Sequence, residues 1–418
     1  MSDSLTEGAG PHRKTDWGNV RPRALRWAMG ALAVGFFLAL YGAAHYYLAR
    51  RLILEPGWPD PWSGVMWISL AVVAFAILFQ PVSERFFPLW VDRLVVWPAA
   101  LWMGIGFFLL LALAASDFAL WSFNQLGWTE GPSFARDRTW ALLGVVLPLS
   151  AWALYQGLQK PGVRQVEIRL GRWPRNLDGF KIVQISDIHF GPILSDRFAR
   201  WLTGRVNGLE PNLIVVTGDL VDGRVDKIGY TVEPLADLHA PCGRWFVTGN
   251  HDHYSNATDW VGCAQSLGMK VLRNTHTVIE QAGGSFVLAG VDDHRSRQMP
   301  GEGGEDLEAA LTGISEALPV VLLAHDPTTF HEASRQGVDL QLSGHTHGGQ
   351  IWPFHYGVRL AMPWVAGLYR RKDSTLYVSR GTGFWGPPMR LGAPAEITEI
   401  TLRCGREGEC PEGEADGL

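Results

Sequence analysis

Acidic and imidazole side chains recur at the ends of apolar segments in the second half of this sequence. The segment IVQISDIHFG, residues 182–191, contains Asp187 and His189 directly after a run of apolar and β-branched residues. Such a run predicts a buried strand, and alternate residues of an extended chain point the same way. A carboxylate and an imidazole on one side form half of a divalent-metal site. For this pair alone, a turn-capping aspartate beside a surface histidine is the alternative.

Four further segments repeat this arrangement, and the repetition favours a metal site. They are NLIVVTGD (212–219), RWFVTGNHD (244–252), PVVLLAH (319–325) and VDLQLSGHTH (338–347). Packing alone does not require ligand-type side chains at so many strand ends. Asp187, Asp219 and Asn250 are spaced at about 30 residues, which suits strand–helix–strand units. Gly218, Gly249 and Gly344 beside the ligands are expected to allow sharp turns.

The segments between the motifs predict the elements that must position them. Helical periodicity occurs at residues 196–209, 230–238, 260–267 and 305–318. Further strands are expected at residues 166–170, 285–291, 375–379 and 396–402. The pattern predicts a layered α/β domain with two sheets and with helices on the outside.

The first part of the chain differs in composition from this domain. Apolar residues make up 47% of the whole chain, charged residues only 18%, and tryptophan occurs 19 times. Four apolar stretches lie at residues 27–48, 62–80, 95–115 and 140–157. Each approaches the roughly 20 residues that a helix needs to cross a bilayer, and Trp or Tyr lies at several edges. We expect four transmembrane helices; a buried helical domain, or a signal peptide at the first stretch, is the alternative.

Loop charges predict the orientation of these helices. With the N-terminus inside, twelve Lys and Arg residues lie on the cytoplasmic side and four on the other, which favours this orientation. Residues 1–26 then form a basic cytoplasmic tail, and the C-terminal domain is cytoplasmic at an inner (plasma) membrane. If one helix is miscounted, the C-terminal domain lies on the opposite side of the membrane. The twelve are Arg13, Lys14, Arg21, Arg23, Arg26, Arg85, Arg93, Lys160, Arg164, Arg169, Arg172 and Arg175; the four are Arg50, Arg51, Arg136 and Arg138.

In order, the motifs are DxH, GDxxD, GNHD, H and GHTH. Over about residues 165–402 this set resembles the calcineurin-like metallophosphoesterase family, and it looks closest to a bacterial membrane-anchored branch. The resemblance implies a four-layer α/β (α+β) fold, with two mixed β-sheets flanked by helices, at residues 165–403. An all-α transmembrane region at residues 27–157 precedes it. Residues 404–418 are rich in Gly and Glu and are expected to form a disordered tail.

Phosphoester hydrolysis requires a nucleophile, neutralisation of the phosphoryl oxygens and a proton for the leaving group. Two divalent metals roughly 3.5–4 Å apart meet the first two needs, because a water bridging them is acidified and aimed in line. The resemblance implies that Asp219 bridges the metals. It assigns Asp187, His189 and His347 to the first metal, and Asn250, His325 and His345 to the second. These N and O donors, without a thiolate, suit Mn²⁺, Fe or Zn²⁺.

The resemblance also implies two catalytic residues outside the ligand set. His251 is expected to face the substrate and to donate the leaving-group proton or stabilise the transition state. Asp222 matches the carboxylate that orients this imidazole and raises its basicity; a turn cap is the alternative. Asp252 is expected to cap the next segment or to support the site. Weaker candidates for the cleft are His253, Tyr254, Arg380 and the turn at residues 292–294.

The motifs indicate a phosphoester or pyrophosphate substrate without selecting between them. The predicted membrane helices make a lipid-linked substrate reasonable, and a small soluble phosphoester is the other choice. Apolar segments at residues 351–354, 362–364 and 384–385 either face the bilayer or pack beneath a loop. The net charge of −5, and the lack of a basic stripe with interleaved aromatic residues, argue against a nucleic-acid partner.

Two other classes of protein remain as alternatives. In one, the membrane part is a sensor or transporter and the phosphoesterase domain is regulatory; the predicted spans lack the paired charges typical of transport pathways. In the other, the domain only binds a ligand, although the complete set of metal-ligand residues argues against that. The oligomeric state does not follow from the sequence.

Overall fold

The computed structural model describes residues 23–126, 133–298 and 303–405, with side chains from residue 28 onward. The basic tail predicted at residues 1–26 lies outside the described residues as far as residue 22. The predicted disordered tail lies outside them from residue 406. Cys404, which that prediction included, instead ends a strand, and its backbone N–H donates to Asp178 Oδ1 at 2.9 Å.

Long apolar helices form the N-terminal part of the described chain. They are α1 (Arg23–Ala49), α2 (Trp62–Phe86), α3 (Leu89–Gln125) and α4 (Phe134–Leu158), and a π-helical turn at Arg50–Leu54 follows α1. With mean hydropathies from 1.5 to 2.2, all four are long and apolar enough to cross a membrane. Each apolar stretch predicted from the sequence lies inside one of these helices. At 1.5 Å per residue α3 is about 55 Å long, so it projects beyond a hydrocarbon core of about 30 Å.

Apolar, β-branched segments form two six-stranded sheets in the C-terminal part. The strands are β1 (Gly162–Leu170), β2 (Phe180–Ile185), β3 (Leu213–Thr217), β4 (Arg244–Val247), β5 (Lys270–Val271), β6 (Thr275–Gln281), β7 (Gly284–Gly290), β8 (Val320–Leu323), β9 (Leu340–Ser343), β10 (Gly367–Arg371), β11 (Ser374–Val378) and β12 (Glu396–Cys404). Their orders are β1-β12-β2-β3-β4-β5 and β10-β11-β9-β8-β7-β6. Strands β2 to β5 are parallel in the first sheet, and β7, β8, β9 and β11 are parallel in the second. Both sheets are mixed, because β12 runs antiparallel to β2, and β6 and β10 run antiparallel to their neighbours.

The hydrophobic core lies between the two sheets. Ile182 and Val215 of the first sheet and Leu288 and Leu342 of the second are fully buried in one cluster. Burying such a side chain contributes about 1.5–3 kcal/mol. The helices of this part are α5 (Asp196–Asn207), α6 (Val225–Ile228), α7 (Asn250–Tyr254), α8 (Ala257–Ser266), α9 (Leu307–Leu311), α10 (Phe330–Ala333) and α11 (Phe354–Ala361). Helices α5 and α8 cover the outer face of the first sheet, and α9 and α10 cover that of the second. The domain therefore has the four layers that the resemblance implies.

Two of the predicted helices are wrong in extent. Residues 230–238 form two 3₁₀ turns, because Pro234 supplies no N–H for an α-helical hydrogen bond. Residues 305–318 form only α9, because Gly313 adopts φ +85°, which lies outside the right-handed helical region. Neither change moves a motif residue.

The α/β domain docks against α2, α3 and α4. Lys227 Nζ donates to the carbonyl oxygen of Glu84 at 2.7 Å and forms an ion pair with Asp92, which is only 1% exposed. The backbone N–H of Arg390 donates to the carbonyl of Ala153 in α4 at 2.9 Å. These contacts place the domain against the helical bundle and fix which of its faces meets the helices.

Candidate metal centre

Five parallel strands end at one edge of the two-sheet sandwich. Strands β2, β3 and β4 belong to the first sheet, and β8 and β9 belong to the second. Each is immediately followed by one of the motifs that the sequence identified. The carboxyl ends of parallel strands in the same sheet meet at one edge, and here the loops of both sheets meet as well: the backbone N–H of His345, after β9, donates to Oδ1 of Asp187, after β2, at 2.8 Å.

One group of potential ligands consists of Asp187, His189 and His347. Nε2 of His189 lies 3.1 Å from Nε2 of His347, and the latter lies 3.5 Å from Asp187 Oδ1. All three side chains are buried, and their ligand atoms fall within 4.8 Å of one another. Burial, together with the charge of Arg390, holds the pKa of His347 well below its usual value, so this imidazole is neutral, as a metal ligand must be.

A second group consists of Asp219, His325 and His345. His325 Nε2 lies 3.2 Å from Asp219 Oδ2 and 3.1 Å from His345 Nδ1. The other ring nitrogen of His325, Nδ1, lies 2.8 Å from the carbonyl oxygen of Thr217. A metal-ligating histidine typically donates its other ring N–H to such a carbonyl, which leaves Nε2 free to bind.

Asp219, a member of the second group, also lies close to the first. The same oxygen, Oδ2, is 3.2 Å from His325 Nε2 and 3.7 Å from His189 Nε2. The other oxygen, Oδ1, accepts from the backbone N–H of His251 at 2.8 Å. This position between two clusters is the one that a carboxylate shared by two cations must occupy.

Two further observations show that the site suits cations. Asn250 is 3% exposed, and its buried Oδ1 has no hydrogen-bond partner among the described residues, although burial of an unpaired amide oxygen is costly. At His325, burial would lower the pKa, but the charges of Asp219 and Asp187 raise it well above its usual value. The field between the carboxylates therefore favours positive charge, and an unpaired oxygen is available beside it.

The backbone of the ligand loops is strained. Asp187, His189, Asp219, His345 and His347 all have φ between +50° and +72°, a region that residues other than glycine rarely adopt. Such conformations cost roughly 1–3 kcal/mol each and concentrate at functional sites. The tertiary structure therefore holds these five side chains in positions that the isolated loops would avoid.

The glycines beside the ligands serve mainly to leave space. A Cβ on Gly249 would lie 2.2 Å from Asp219 Oδ1, and one on Gly344 would lie 2.1 Å from Asp187 Oδ2. Gly249 has φ −105°, so no unusual turn explains it. Gly218 alone of the three has a positive φ, +85°, as the sharp-turn prediction expected. At Gly249 and Gly344, glycine is required because a carboxylate approaches the backbone too closely to leave room for a Cβ.

His251 and Asp222 form a pair beside the first group. His251 Nδ1 lies 2.7 Å from Asp222 Oδ1, while Asp222 Oδ2 lies 3.0 Å from Nδ1 of His189. Burial would lower the pKa of His251, but the charge of Asp222 and its hydrogen bond raise that pKa to about 9. The sequence suggested that Asp222 orients one imidazole; the structure places it against two.

Asp252 connects two of the ligand loops. Its Oδ1 accepts from the backbone N–H of Leu220 at 2.9 Å, and its Oδ2 accepts from that of Gly249 at 2.8 Å. Burial and the charge of Asp219 raise the pKa of Asp252 to about 7. Asp252 thus supports the site, as expected, because its hydrogen bonds hold the loops after β3 and β4 together.

The weaker candidates divide between the cleft and the interior. Tyr254 packs beside His251, with ring centroids 5.2 Å apart, whereas His253 is buried and lies 3.0 Å from Thr248 Oγ1. Arg380, considered for a phosphate contact, pairs with Glu396 at 2.9 Å. In the turn at residues 292–294, Asp292 is buried and ion-paired with Arg273 at 2.8 Å.

Sequence reasoning missed Arg390. This guanidinium is 1% exposed and donates to the carbonyls of Arg380, Gly383 and Ala393, and it lies 3.4 Å from His347 Nδ1. Burial lowers its pKa to about 10. No pattern in the sequence marks this arginine, because its carbonyl partners lie in its own loop between β11 and β12, and its contact with His347, 43 residues earlier, forms only in the folded chain.

The fold and site define a metal-dependent phosphoesterase architecture, and comparisons with known proteins agree. Residues 180–349 match the family model described as calcineurin-like phosphoesterase. A transmembrane protein with metallophosphoesterase domain from Bos taurus is 40% identical over 301 residues, which is 68% of each chain. The chain belongs to the calcineurin-like metallophosphoesterase family.

Other relatives come from animals and bacteria, so the relationship is not confined to a bacterial branch. A protein of the same name from Danio rerio is 38% identical over 61% of this chain and 60% of its own length. An uncharacterised metallophosphoesterase of Campylobacter jejuni is 30% identical over 88% of this chain and 96% of its own. Among solved structures, a 5′-nucleotidase precursor from Thermus thermophilus is similar, with a TM-score of 0.34, 15% identity and 56% of each chain covered.

Proposed function

We propose that this protein is a membrane-anchored phosphoesterase that uses two divalent metals to hydrolyse phosphoester or pyrophosphate bonds. The observation that carries the proposal is Asp219, whose one carboxylate oxygen faces two histidine-containing groups at once. The His251–Asp222 pair beside it adds a group that can transfer a proton. The family supports metal-dependent ester hydrolysis in general; the ester class is part of the proposal.

We assign the metal ligands as the family resemblance implies. Asp187, His189 and His347 would hold one ion, Asn250, His325 and His345 the other, and Asp219 both. When bound, two such ions neutralise the phosphoryl oxygens and acidify water. Mn²⁺, Fe or Zn²⁺ suits this set of N and O donors.

His251 supplies the proton for the leaving oxygen in this proposal. Asp222 engages Nδ1, which leaves Nε2 as the nitrogen that can reach the substrate. As the P–O bond breaks, Nε2 donates its proton to the departing oxygen. The leaving group therefore departs as a neutral alcohol or as a protonated phosphate. Asp222 holds the imidazole in the required orientation and stabilises its charged form.

A lipid-linked ester is the substrate that the rest of the chain favours. The domain docks on helices long and apolar enough to cross a bilayer. Exposed apolar residues surround that junction: Phe86 is 72% exposed, Trp90 65% and Leu360 of α11 92%. A soluble phosphoester would not require a catalytic domain held at this position.

We further propose that the four helices cross an inner (plasma) membrane with the α/β domain in the cytoplasm. At the end of the bundle away from that domain, Arg51 and Arg138 both pair with Asp117, and Arg50 pairs with Glu55. Three of the four basic residues expected on the outer side of the membrane are thus ion-paired with Asp117 or Glu55. A green fluorescent protein fused to the C-terminus should fluoresce in cells, whereas a periplasmic reporter fused there should be inactive; the reverse pattern would contradict the cytoplasmic placement.

Removing metal should abolish turnover. The full chain in detergent would be assayed with p-nitrophenyl phosphate and bis-p-nitrophenyl phosphate before and after treatment with a chelator. We expect turnover to fall at least about 100-fold and to return with Mn²⁺, because the ions provide the largest electrostatic contribution. Elemental analysis should find about two metal ions per chain before chelation.

A chain that binds no metal and turns over neither ester would refute the proposal. The domain would then be a ligand-binding or regulatory part of a membrane sensor or transporter. The preferred ester distinguishes a phosphodiesterase from a phosphatase, and release of two phosphate-containing products from a pyrophosphate ester would identify a pyrophosphatase.

A further inference from the structure

A cavity of about 560 Å³ joins the candidate metal centre to the membrane helices. On one side it is lined by His189, Asp222 and His251. On the other it is lined by Val96, Ala100 and Met103 of α3, together with Pro81 of α2. The catalytic residues and apolar residues of α2 and α3 therefore line one open cavity.

The α3 wall is a continuous apolar stripe. Residues 96, 100 and 103 are spaced four and three apart, so they lie on one face of the helix. They cover about 10 Å of its axis, and all three fall within the span predicted at residues 95–115. Val96 and Ala100 are 5% and 2% exposed, whereas Met103 is 36% exposed. The wall therefore begins beside the site and continues into the part of α3 that the bilayer would surround.

The rim of the cavity is polar and charged. Arg85 contributes a cationic group, Arg224 a guanidinium that is ion-paired with Asp226, and Gln80 and Glu84 an amide and a carboxylate. Trp385 packs 5.6 Å from His251, between the rim and the metal centre, and is half exposed. A cavity with a catalytic end, two arginines at its rim and one apolar wall matches an amphiphile that carries a phosphate group.

The cavity does not result from loose packing between the α/β domain and the N-terminal helices. Close to it, a Cβ on Gly104 would lie 2.4 Å from Met389 Sδ, and one on Gly157 would lie 2.3 Å from the carbonyl oxygen of Pro388. The junction is thus packed to atomic contact at these positions of α3 and α4, and the cavity lies where α2 and α3 face His251.

We propose that this cavity admits a membrane lipid laterally, with its phosphate at the metal centre and the first part of its acyl chain against Val96, Ala100 and Met103. The inference rests on the proposed hydrolase function and assigns its substrate class as a lipid phosphoester or pyrophosphate. The oxygen of one water forms a new P–O bond as the ester P–O bond breaks; the leaving oxygen takes the proton from His251, and the proton released by the water restores the charged imidazole. The products separate into a lipid that stays in the bilayer and a polar group that leaves through the rim.

Two esters with the same leaving group test the acyl wall. Ethyl and dodecyl p-nitrophenyl phosphate would be compared as substrates of the full chain in lipid nanodiscs, using the ratio of their kcat/KM values. We expect Ala100→Trp to lower the dodecyl-to-ethyl ratio by about tenfold, roughly the loss of two buried methylene groups. Met103→Gln should lower the same ratio without adding bulk. Ala115→Trp, at an exposed position on the same helix, should leave the ratio unchanged.

Partition into the bilayer is common to all variants, so only a change in the ratio reports on the cavity. Equal ratios in the wild type, Ala100→Trp and Met103→Gln would overturn the lateral site. Metal-dependent turnover of the ethyl ester in that case would still support the proposed hydrolase function. A phosphatidic acid with a diazirine in its acyl chain gives a readout without turnover. We expect it to cross-link within residues 96–103 and to do so less in Ala100→Trp; cross-links equal in both would count against the site. If neither ester is hydrolysed with any metal, the proposed function fails, and this inference fails with it.

Discussion

An Asp219→Asn variant should lose at least about 1,000-fold in kcat/KM for either p-nitrophenyl ester, and most of its bound metal. Asp219 Oδ2 faces both histidine groups, so an amide there removes the one negative charge that both sites share. The uncompensated burial of two cations would then weaken both sites together. Among single substitutions of the ligand set, this one should have the largest effect on metal content.

Metal content and turnover should be measured on the same preparation. Asp373→Asn is the matched control, because Asp373 lies exposed in the turn between β10 and β11. The control should keep its metal and its activity. An Asp219→Asn protein that retains about two metals per chain would show that Asp219 does not bridge them.

Replacing His251 with alanine should reduce turnover and leave the metal in place. The side chain contacts Asp222 rather than the ligand atoms of the second group, and its loss removes a proton donor. Such donors contribute about 10²–10⁴-fold. Because p-nitrophenolate leaves readily without a proton, we expect a loss of about tenfold for a p-nitrophenyl ester and at least about 100-fold for the corresponding phenyl ester.

The difference between the two leaving groups identifies the role of His251. A purely structural effect would lower both rates equally, and that result would contradict proton donation. His239→Ala, at an exposed position, is the matched control. Asp222→Asn should differ from His251→Ala, because Asp222 also lies 3.0 Å from the His189 ring: we expect it to lower metal content as well as turnover.

The location of the site at the strand ends was predictable from the sequence. Short apolar segments rich in β-branched residues favour buried strands, and the motifs follow them directly at residues 187, 219, 250, 325 and 345. Parallel strands bring such ends to one edge. The four apolar helices were equally predictable, because length and hydropathy alone decide whether a helix can cross a bilayer.

Other features could not be predicted because they depend on contacts between distant segments. The buried Arg390 lies 3.4 Å from Nδ1 of His347, which is 43 residues earlier in the chain. Gly249 is required by the carboxylate of Asp219, 30 residues earlier in the chain. The strained φ of Asp187 and His347 is imposed by the loops around them, and local propensity opposes it.

The sequence by itself determined the family, the candidate ligands and the four helices apolar enough to cross a membrane, because each depends on local patterns of residue type. Only the tertiary structure decided how those parts face one another. The docking of Lys227 against Glu84 and Asp92 turns His251 toward α3, which no local pattern encodes. A cavity is the space left between surfaces, so it exists only when both surfaces are in place.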